Sequence, residues 1–441
     1  MSTEAPNVYA PEQGERSSLC ADFSWTFVGN AVYAAGQFAI LMILTKLVRP
    51  ELVGQYALGL ALVYPLMMLA NMQLRSVMNS GTHDQAQFGH YLSLRLLTTL
   101  VAFTIIFGIT RILHYDWELT EVVLMVGVAY GIETISDVYY ARLQLHDRMA
   151  EISKSLMIRA VLSVIALAAF TCVTRSVVWG IAGVAAARAM VLFGYDTHER
   201  THSLRSRTEW YLLNGELSPR FDAGEQRQLL WRSLPLGIVV LLTTLNSSIP
   251  SFFIKHGIGE HDLGIFSALG LTISVGNMAV VSLGQSAFTR LSRAYASGNI
   301  TVFGSLLLVL LTCGAGLGVC GMLISKFAGR EILTLLFRPE YAERADLLPW
   351  IMAAGAVLFM AQFLGFGMTA AGFYHSQVYL NILANVTLVA ACHWLVASKG
   401  LLGAILAMLI AAIVQLVASA VILAAAMRTK ANVQTGTFEP A

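Results

Sequence analysis

Long apolar runs broken by short polar connections set the character of this chain. Runs near residues 23–45, 53–74, 90–112, 120–141, 152–174 and 177–196 are each long enough to cross the roughly 30 Å hydrocarbon core of a bilayer as a helix. From Thr197 to Arg232 the pattern lapses into a charged segment carrying Arg200, Arg205, Arg207, Arg220 and Arg227. Six further runs follow, near 233–254, 262–287, 300–325, 346–370, 376–397 and 400–427. The pattern therefore predicts an all-α polytopic membrane protein of about 12 transmembrane helices. It divides the chain into a tail (1–21), an N-lobe of six helices (22–196), a linker (197–232), a C-lobe of six helices (233–427) and a second tail (428–441).

The two sets of runs resemble one another. Lys46, Gly54, Tyr56 and Ala57 line up with Lys255, Gly264, Phe266 and Ser267, and Phe88-Gly89 with Phe303-Gly304. An even number of helices per unit makes these parallel repeats, so two six-helix lobes around a central cavity are expected. The opening residues are mostly polar, the wrong shape for a cleavable signal peptide. Lys and Arg are richer in the connections on the N-terminal side of the membrane, which places both termini and the linker in the cytoplasm.

Composition narrows the function. With 56% hydrophobic and 12% charged residues and a mean hydropathy of +0.67, the chain lies far from the quarter or so of charged residues usual in soluble domains. A net charge of +2, spread over many loops, points to no nucleic-acid partner. The five cysteines form no metal pattern and read as small core residues. His198 and His202 share a helical spacing but lack a third ligand. No GxxxxGK[ST], HExxH or GxSxG motif occurs, so no catalytic residue, cofactor or metal is expected. The GxxxG pairs at Gly127–Gly131 and Gly314–Gly318 mark close helix packing, and Pro65 and Pro250 mark kinks.

Charges inside the apolar runs are the informative exceptions. Between Glu133 and Arg159 the chain reads ETISDVYYARLQLHDRMAEISKSLMIR. Glu133 and Asp137 are four apart and share a helix face. If the fourth span descends and the fifth climbs back, Glu133 and Arg159 reach similar depth. A lone arginine at mid-membrane costs roughly 2.5–3.5 kcal/mol, so a partner or a wet cavity is expected. Two readings stay open: a structural Glu133–Arg159 pair tying the two spans together, or a working site. Arg95 and Arg188 are also intramembrane, each placed either to snorkel to headgroups or to work inside. The second half retains only neutral polar groups such as Asn246, Asn277, Gln362 and Asn385, with His393; a charge-dependent step belongs to the first lobe.

Four segments carry a resemblance: 29–65, GNAVYAAGQFAILMILTKLVRPELVGQYALGLALVYP; MQLR at 72–75 with FGHYLSLRL at 88–96; 139–163, YYARLQLHDRMAEISKSLMIRAVLS; and 331–350, EILTLLFRPEYAERADLLPW. Together they resemble the polysaccharide transporter branch of the multidrug/oligosaccharidyl-lipid/polysaccharide exporter superfamily, the flippases of O-antigen, capsule and teichoic-acid repeat units. NSGTHD at 79–84 and Arg338 depart from the family pattern. The resemblance implies an alternating-access flippase in the bacterial inner membrane that carries undecaprenyl-diphosphate-linked oligosaccharides to the outer leaflet for surface polysaccharide such as lipopolysaccharide. Its expected partners are that lipid-linked substrate, the phospholipid membrane and a polysaccharide polymerase.

A diphosphate needs fixed cations, and the planar fork of arginine suits its oxygens. Arg159 and Arg95 are the candidates within the spans, and Arg75 and Arg142 the candidates at the inner rim. Glu133 and Asp137 are the candidates for ion coupling, because a desolvated carboxylate can change charge. Trp25, Tyr33, Tyr56, Tyr64, Tyr139 and Tyr140 either stack on sugars or pack as belt and core. The alternatives are a cation-coupled multidrug antiporter of the same superfamily and, from a different class, an integral-membrane polymerase or glycosyltransferase. The last is disfavoured by the absence of a large extramembrane loop. On this reading Arg159→Ala abolishes surface glycan in a protein that still folds.

Overall fold

A computed structural model describes residues 13–79, 88–145, 148–197 and 219–434. The Asn79–Asp84 motif beyond its first residue, the His198/His202 pair, Arg200, Arg205, Arg207 and the extreme tails lie outside the described residues, as does most of the linker.

All regular structure among the described residues is helical. The first lobe comprises α1 (Gln13–Leu47), α2 (Pro50–Asn71), the short α3 (Leu74–Asn79), α4 (Phe88–Ile112), α5 (Trp117–Leu145), α6 (Met149–Thr174) and α7 (Val177–Val191). A single π-helical turn, Leu192–Asp196, continues α7. The second lobe comprises α8 (Ala223–Gly257), α9 (Glu260–Ala296), α10 (Ile300–Leu336), the one-turn α11 (Pro339–Ala342), α12 (Leu348–Ala370) and a helical stretch over Tyr374–Gln434. Among the described residues, eleven helices are long and apolar enough to cross a membrane. The last of them is broken at Gly400, whose φ of 61° is left-handed, a conformation glycine adopts without penalty. There the chain doubles back: a methyl group on Gly403 would overlap the backbone of Leu395, eight residues earlier. The stretch thus forms two antiparallel helices, α13 (374–399) and α14 (401–434), and the spans total twelve.

Small residues set how closely the helices approach. Gly29 and Gly36 of α1 lie against Ser153 and Ala160 of α6, with a built Cβ only 2.7 and 2.8 Å from theirs. Gly127 and Gly131 of α5 receive Phe103 and Thr99 of α4, while Gly314 and Gly318 of α10 receive Phe363 and Ala356 of α12. Without a hydrophobic drive between helices in lipid, such close contact is the main source of association. Pro65 lies within α2, and Pro235 and Pro250 within α8.

α2 makes most of the contact between the lobes. α2 packs on α4 and α5 of its own lobe and on α8 and α9 of the other. Its crossing with α9 is reciprocal. A methyl group on Gly54 would overlap the carbonyl of Glu260, and one on Gly264 would overlap the carbonyl of Pro50. Each glycine thus meets the carbonyl four residues before the other, the relation expected where matched positions of two repeats meet on their symmetry axis. Polar contacts surround this crossing. Gln55 donates to Glu260 at 3.0 Å, Lys255 pairs with the same carboxylate, and His261 meets Glu51 at 2.8 Å. Arg338, the departure from the family pattern, donates to the carbonyls of Lys46 and Leu47 at 3.0 and 3.4 Å, satisfying acceptors that the end of α1 leaves open.

The crossing generates a prediction. Gly264→Ala forces α2 and α9 apart and costs about 1–3 kcal/mol, the usual range for overpacking. Gly316→Ala, where nothing lies within 4 Å of the added carbon, is expected to keep or raise stability, by up to about 1 kcal/mol. Thermal midpoints of the purified proteins in detergent measure both.

Candidate functional site

The intramembrane charges of the first lobe are organised by α5. Positions Glu133, Asp137 and Tyr140 are spaced i, i+4, i+7 and line one stripe. Each engages a different arginine from a different helix.

At the first level, Arg188 of α7 lies 2.7 Å from Glu133 and donates to the Ala129 carbonyl at 3.1 Å, with its guanidinium 5.0 Å from the centre of the Tyr130 ring. Tyr33 of α1 donates to the other Glu133 oxygen, and Gln37 donates to the Tyr33 hydroxyl at 2.7 Å. Three helices therefore meet on one carboxylate. Arg188 is only 2% exposed: it does not snorkel.

The second level lies one turn on. Arg95 of α4 is fully buried, lies 3.6 Å from Asp137, and donates to the Ala70 carbonyl and to Asn71 at 3.2 and 3.0 Å. The snorkelling alternative for Arg95 is excluded by its zero exposure. Arg75 of α3 approaches the other Asp137 oxygen at 3.5 Å and donates to Gln144 at 2.7 Å. The turn that delivers Arg75 holds two consecutive non-glycine residues at positive φ, Met72 (47°) and Gln73 (51°). Such conformations cost of order 1–3 kcal/mol each and persist where packing enforces them. Arg142 stacks 5.6 Å from the Phe88 ring beside this level.

At the third level Arg159 of α6 pairs with Asp196 at 2.9 Å and lies 5.4 Å from the Tyr140 ring, while Ser155 bridges the Tyr140 hydroxyl and Asp196 at 2.7 and 2.5 Å. The π turn explains the geometry. In an unbroken α-helix, Asp196 would fall about 80° around from Arg188, eight residues earlier. The wider turn, closed by Thr197 N–H to the Leu192 carbonyl at 3.0 Å, removes most of that offset and returns Asp196 to the inward face.

This corrects the sequence expectation in two respects. Glu133 and Arg159 do not pair: Glu133 belongs to Arg188 and Arg159 to Asp196. Arg159 is 1% exposed and paired with a buried carboxylate, so Arg159→Ala strands a buried charge and its loss of glycan is expected together with a loss of stability. Asp196 is the functional-class residue that sequence reasoning passed over. Its signal was an acid closing an apolar run while Arg159 had no assured partner.

The aromatic candidates divide similarly. Tyr33 is bound to Glu133, Tyr56 and Tyr140 are buried, and Tyr64 packs edge-on to Tyr130 at 5.8 Å. Tyr139 rests on Phe88, and Trp25 lies 5.8 Å from the Lys154 ammonium. In the second lobe Asn385 donates to the Leu242 carbonyl at 2.7 Å. The amide oxygens of Asn277, Gln362 and Asn385 are buried without a hydrogen-bond partner among the described residues. His393 packs on the exposed Trp394. The ion pairs of the second lobe lie near the helix ends around the α2–α9 crossing.

Breaking one member of a buried pair strands the other charge, at about 3–5 kcal/mol. Arg159→Met is therefore expected to lower stability by that order, and the double variant Arg159→Met/Asp196→Asn to recover most of the loss. Detergent melting curves of the three proteins test this.

Comparison with known proteins places this architecture. A family model described as "Polysaccharide biosynthesis protein" matches residues 19–295. The capsular polysaccharide biosynthesis protein CapF of Staphylococcus aureus is 24% identical over 404 residues, covering 90% of this chain and 98% of that one. Among solved structures, the lipid II flippase MurJ in an inward closed conformation aligns with a TM-score of 0.67 at 11% identity, covering 89% of this chain and 86% of MurJ. An inward-facing multidrug resistance transporter of the MATE family aligns with a TM-score of 0.60 at 13% identity, covering 92% and 95%. These likenesses establish a shared fold of two six-helix lobes. The chain belongs to the polysaccharide biosynthesis protein family and is built on the transporter fold of the MATE and MurJ proteins.

Proposed function

We propose that this protein is the flippase that moves undecaprenyl-diphosphate-linked oligosaccharide repeat units from the inner to the outer leaflet of a bacterial cytoplasmic membrane, supplying a polymerase that builds capsule, O-antigen or a related surface polysaccharide. The observation that carries the reading is the joining of a transporter fold to a polysaccharide biosynthesis family, with the buried charged side chains among the described residues all in one lobe. A polysaccharide pathway that assembles its units on a lipid needs a carrier for a headgroup too polar to cross alone. A two-lobe transporter with arginines along one lobe is chemically suited to a sugar diphosphate. Both termini face the cytoplasm in this orientation, so the α2–α9 crossing lies at the outer end and Arg75, Arg142 and Asp137 near the inner one.

The transport cycle uses the two lobes about the α2 hinge. Arg75 and Arg142 receive the anionic headgroup at the inner rim, with Arg95 behind them. Glu133 couples the cycle to an ion, because it alone joins α1, α5 and α7. Neutralising Glu133 releases Tyr33 and Arg188 together, which uncouples α1 from α5 and α7 and leaves it held by α6. The multidrug alternative has no comparable support: this chain's family is one of polysaccharide biosynthesis.

Two outcomes test the proposal. In a strain lacking the protein, lipid-linked repeat units are expected to accumulate and to stay protected from a membrane-impermeant sugar-modifying reagent in sealed, right-side-out vesicles. Accessible units would assign the defect to a later step. Restoring the strain with Glu133→Gln is expected to return the protein to the membrane with surface glycan reduced at least about tenfold. Glycan at the wild-type level would remove Glu133 from the coupling step.

A further inference from the structure

The three charge levels along α5 differ in how tightly they are closed. Arg188 and Arg159 each face a single carboxylate, Glu133 at 2.7 Å and Asp196 at 2.9 Å, the second with the geometry of a charge-assisted hydrogen bond. The Asp137 level is different. One carboxylate faces two guanidiniums, Arg75 at 3.5 Å and Arg95 at 3.6 Å, with the Asn71 amide at 3.4 Å. None of these contacts has contracted to the length of a strong bond. Asp137 is also the only acid within ion-pair distance of either arginine among the described residues, so the described part of the cluster holds two cations to one anion. The Nε of Arg95, on a fully buried side chain, has no hydrogen-bond partner among the described residues, and the same is true of the Nε atoms of Arg159 and Arg188. What differs is Arg75, which keeps 32% of its side-chain surface open against 0–3% for Arg95, Arg159 and Arg188; Asp137 keeps 23%, as Glu133 does.

We infer that Asp137 is a resident counter-anion that holds the place of a phosphate: a diphosphate ester binds to Arg75, and Asp137 withdraws to Arg95. The exchange conserves the charge of the buried part. Without ligand, Asp137 is shared between the two cations. With ligand, the half-exposed Arg75 turns to the incoming phosphate oxygens, and the buried Arg95 keeps the carboxylate to itself, so no charge is left unpaired in the low-dielectric interior. Gln144 holds Arg75 by its Nε at 2.7 Å, leaving the two terminal nitrogens as the fork that meets an oxyanion. The rigid Met72–Gln73 turn fixes Arg75 at the surface of the lobe, where a ligand arriving from the inner side of the membrane reaches it first.

This inference rests on the flippase reading for the identity of the ligand but not for the exchange itself, so the two fail separately. The test uses the purified full-length chain in phosphatidylcholine nanodiscs, with farnesyl diphosphate and inorganic pyrophosphate as probes. Asp137→Asn removes the competing anion and is expected to bind both probes about tenfold more tightly than wild type, a change of about 1.4 kcal/mol. Arg75→Gln, which leaves buried Arg95 in place, is expected to weaken binding at least tenfold without shifting the melting curve. Equal or weaker binding by a folded Asp137→Asn protein would overturn the exchange, as would wild-type binding by Arg75→Gln.

A second readout does not depend on Asp137→Asn folding. Pyrophosphate added to the wild-type protein should shift a carboxylate stretching band in the infrared difference spectrum, and Arg75→Gln should abolish the shift; its absence from wild type would refute the exchange. Repeating the titration in nanodiscs containing phosphatidylglycerol separates the two sources of phosphate. Undiminished probe binding supports a diphosphate ligand, and displacement by the lipid headgroup assigns the site to bulk lipid and overturns it. None of these results alters the accumulation phenotype, which tests the transport reading on its own.

Discussion

A guanidinium inside a membrane protein must find a carboxylate, and this requirement orders the first lobe. Three arginines, from α4, α6 and α7, are almost wholly buried, and each would cost several kcal/mol if left alone in a medium of low dielectric. Their acids come from one stripe of α5 and from the turn that ends α7. The consequence is mechanical as well as electrostatic. Because Glu133 receives both Tyr33 of α1 and Arg188 of α7, and Asp137 receives both Arg95 of α4 and Arg75 of α3, α5 cannot shift without exchanging partners with its neighbours. Rearrangements of this lobe are therefore confined to those in which charge stays paired.

The second lobe is under no such constraint within its spans. Its helices pack through glycine and aromatic contacts, such as Gly276 on Phe359 and Gly284 on Phe366, and its ion pairs gather where α9 meets α2. That division suits a carrier in which one lobe reads the charge of a cargo and the other supplies a neutral wall. The reciprocal Gly54 and Gly264 contacts supply the joint. Backbone on backbone is a stiff contact, and it lies where matched positions of the two repeats meet.

Much of this was legible in the sequence, and the reasons for the remainder are physical. Apolar run length revealed every span, even the α13–α14 hairpin that is helical almost without interruption, because Gly400 stands between two runs each long enough to cross. Matching Gly54 with Gly264 marked the joint, although nothing in the chain said the two would touch. The presence of charge in the first lobe was equally plain. Its pairing was not, because depth estimated from position along a span cannot resolve one helix turn, about 5.4 Å, and cannot foresee a π turn. Asp196 closes the sixth run without a visible partner in the sequence, and of the two readings open for Arg159 the pair with Glu133 does not form. Arg188 and Arg95, each near a run's end, had the same sequence signature as snorkelling residues; only their packing distinguishes them.

The most direct test of the account is translocation by the purified protein alone. Proteoliposomes containing only this chain and a fluorescently tagged undecaprenyl-diphosphate oligosaccharide would be treated with an impermeant quencher, with and without an imposed ion gradient. The account predicts that, in the absence of the protein, about half the label stays protected, as a symmetric bilayer requires, and that with the protein the protected fraction falls as units cross to the quenched leaflet. A protected fraction that stays at the protein-free level, from protein shown to be folded by its melting curve, would contradict it.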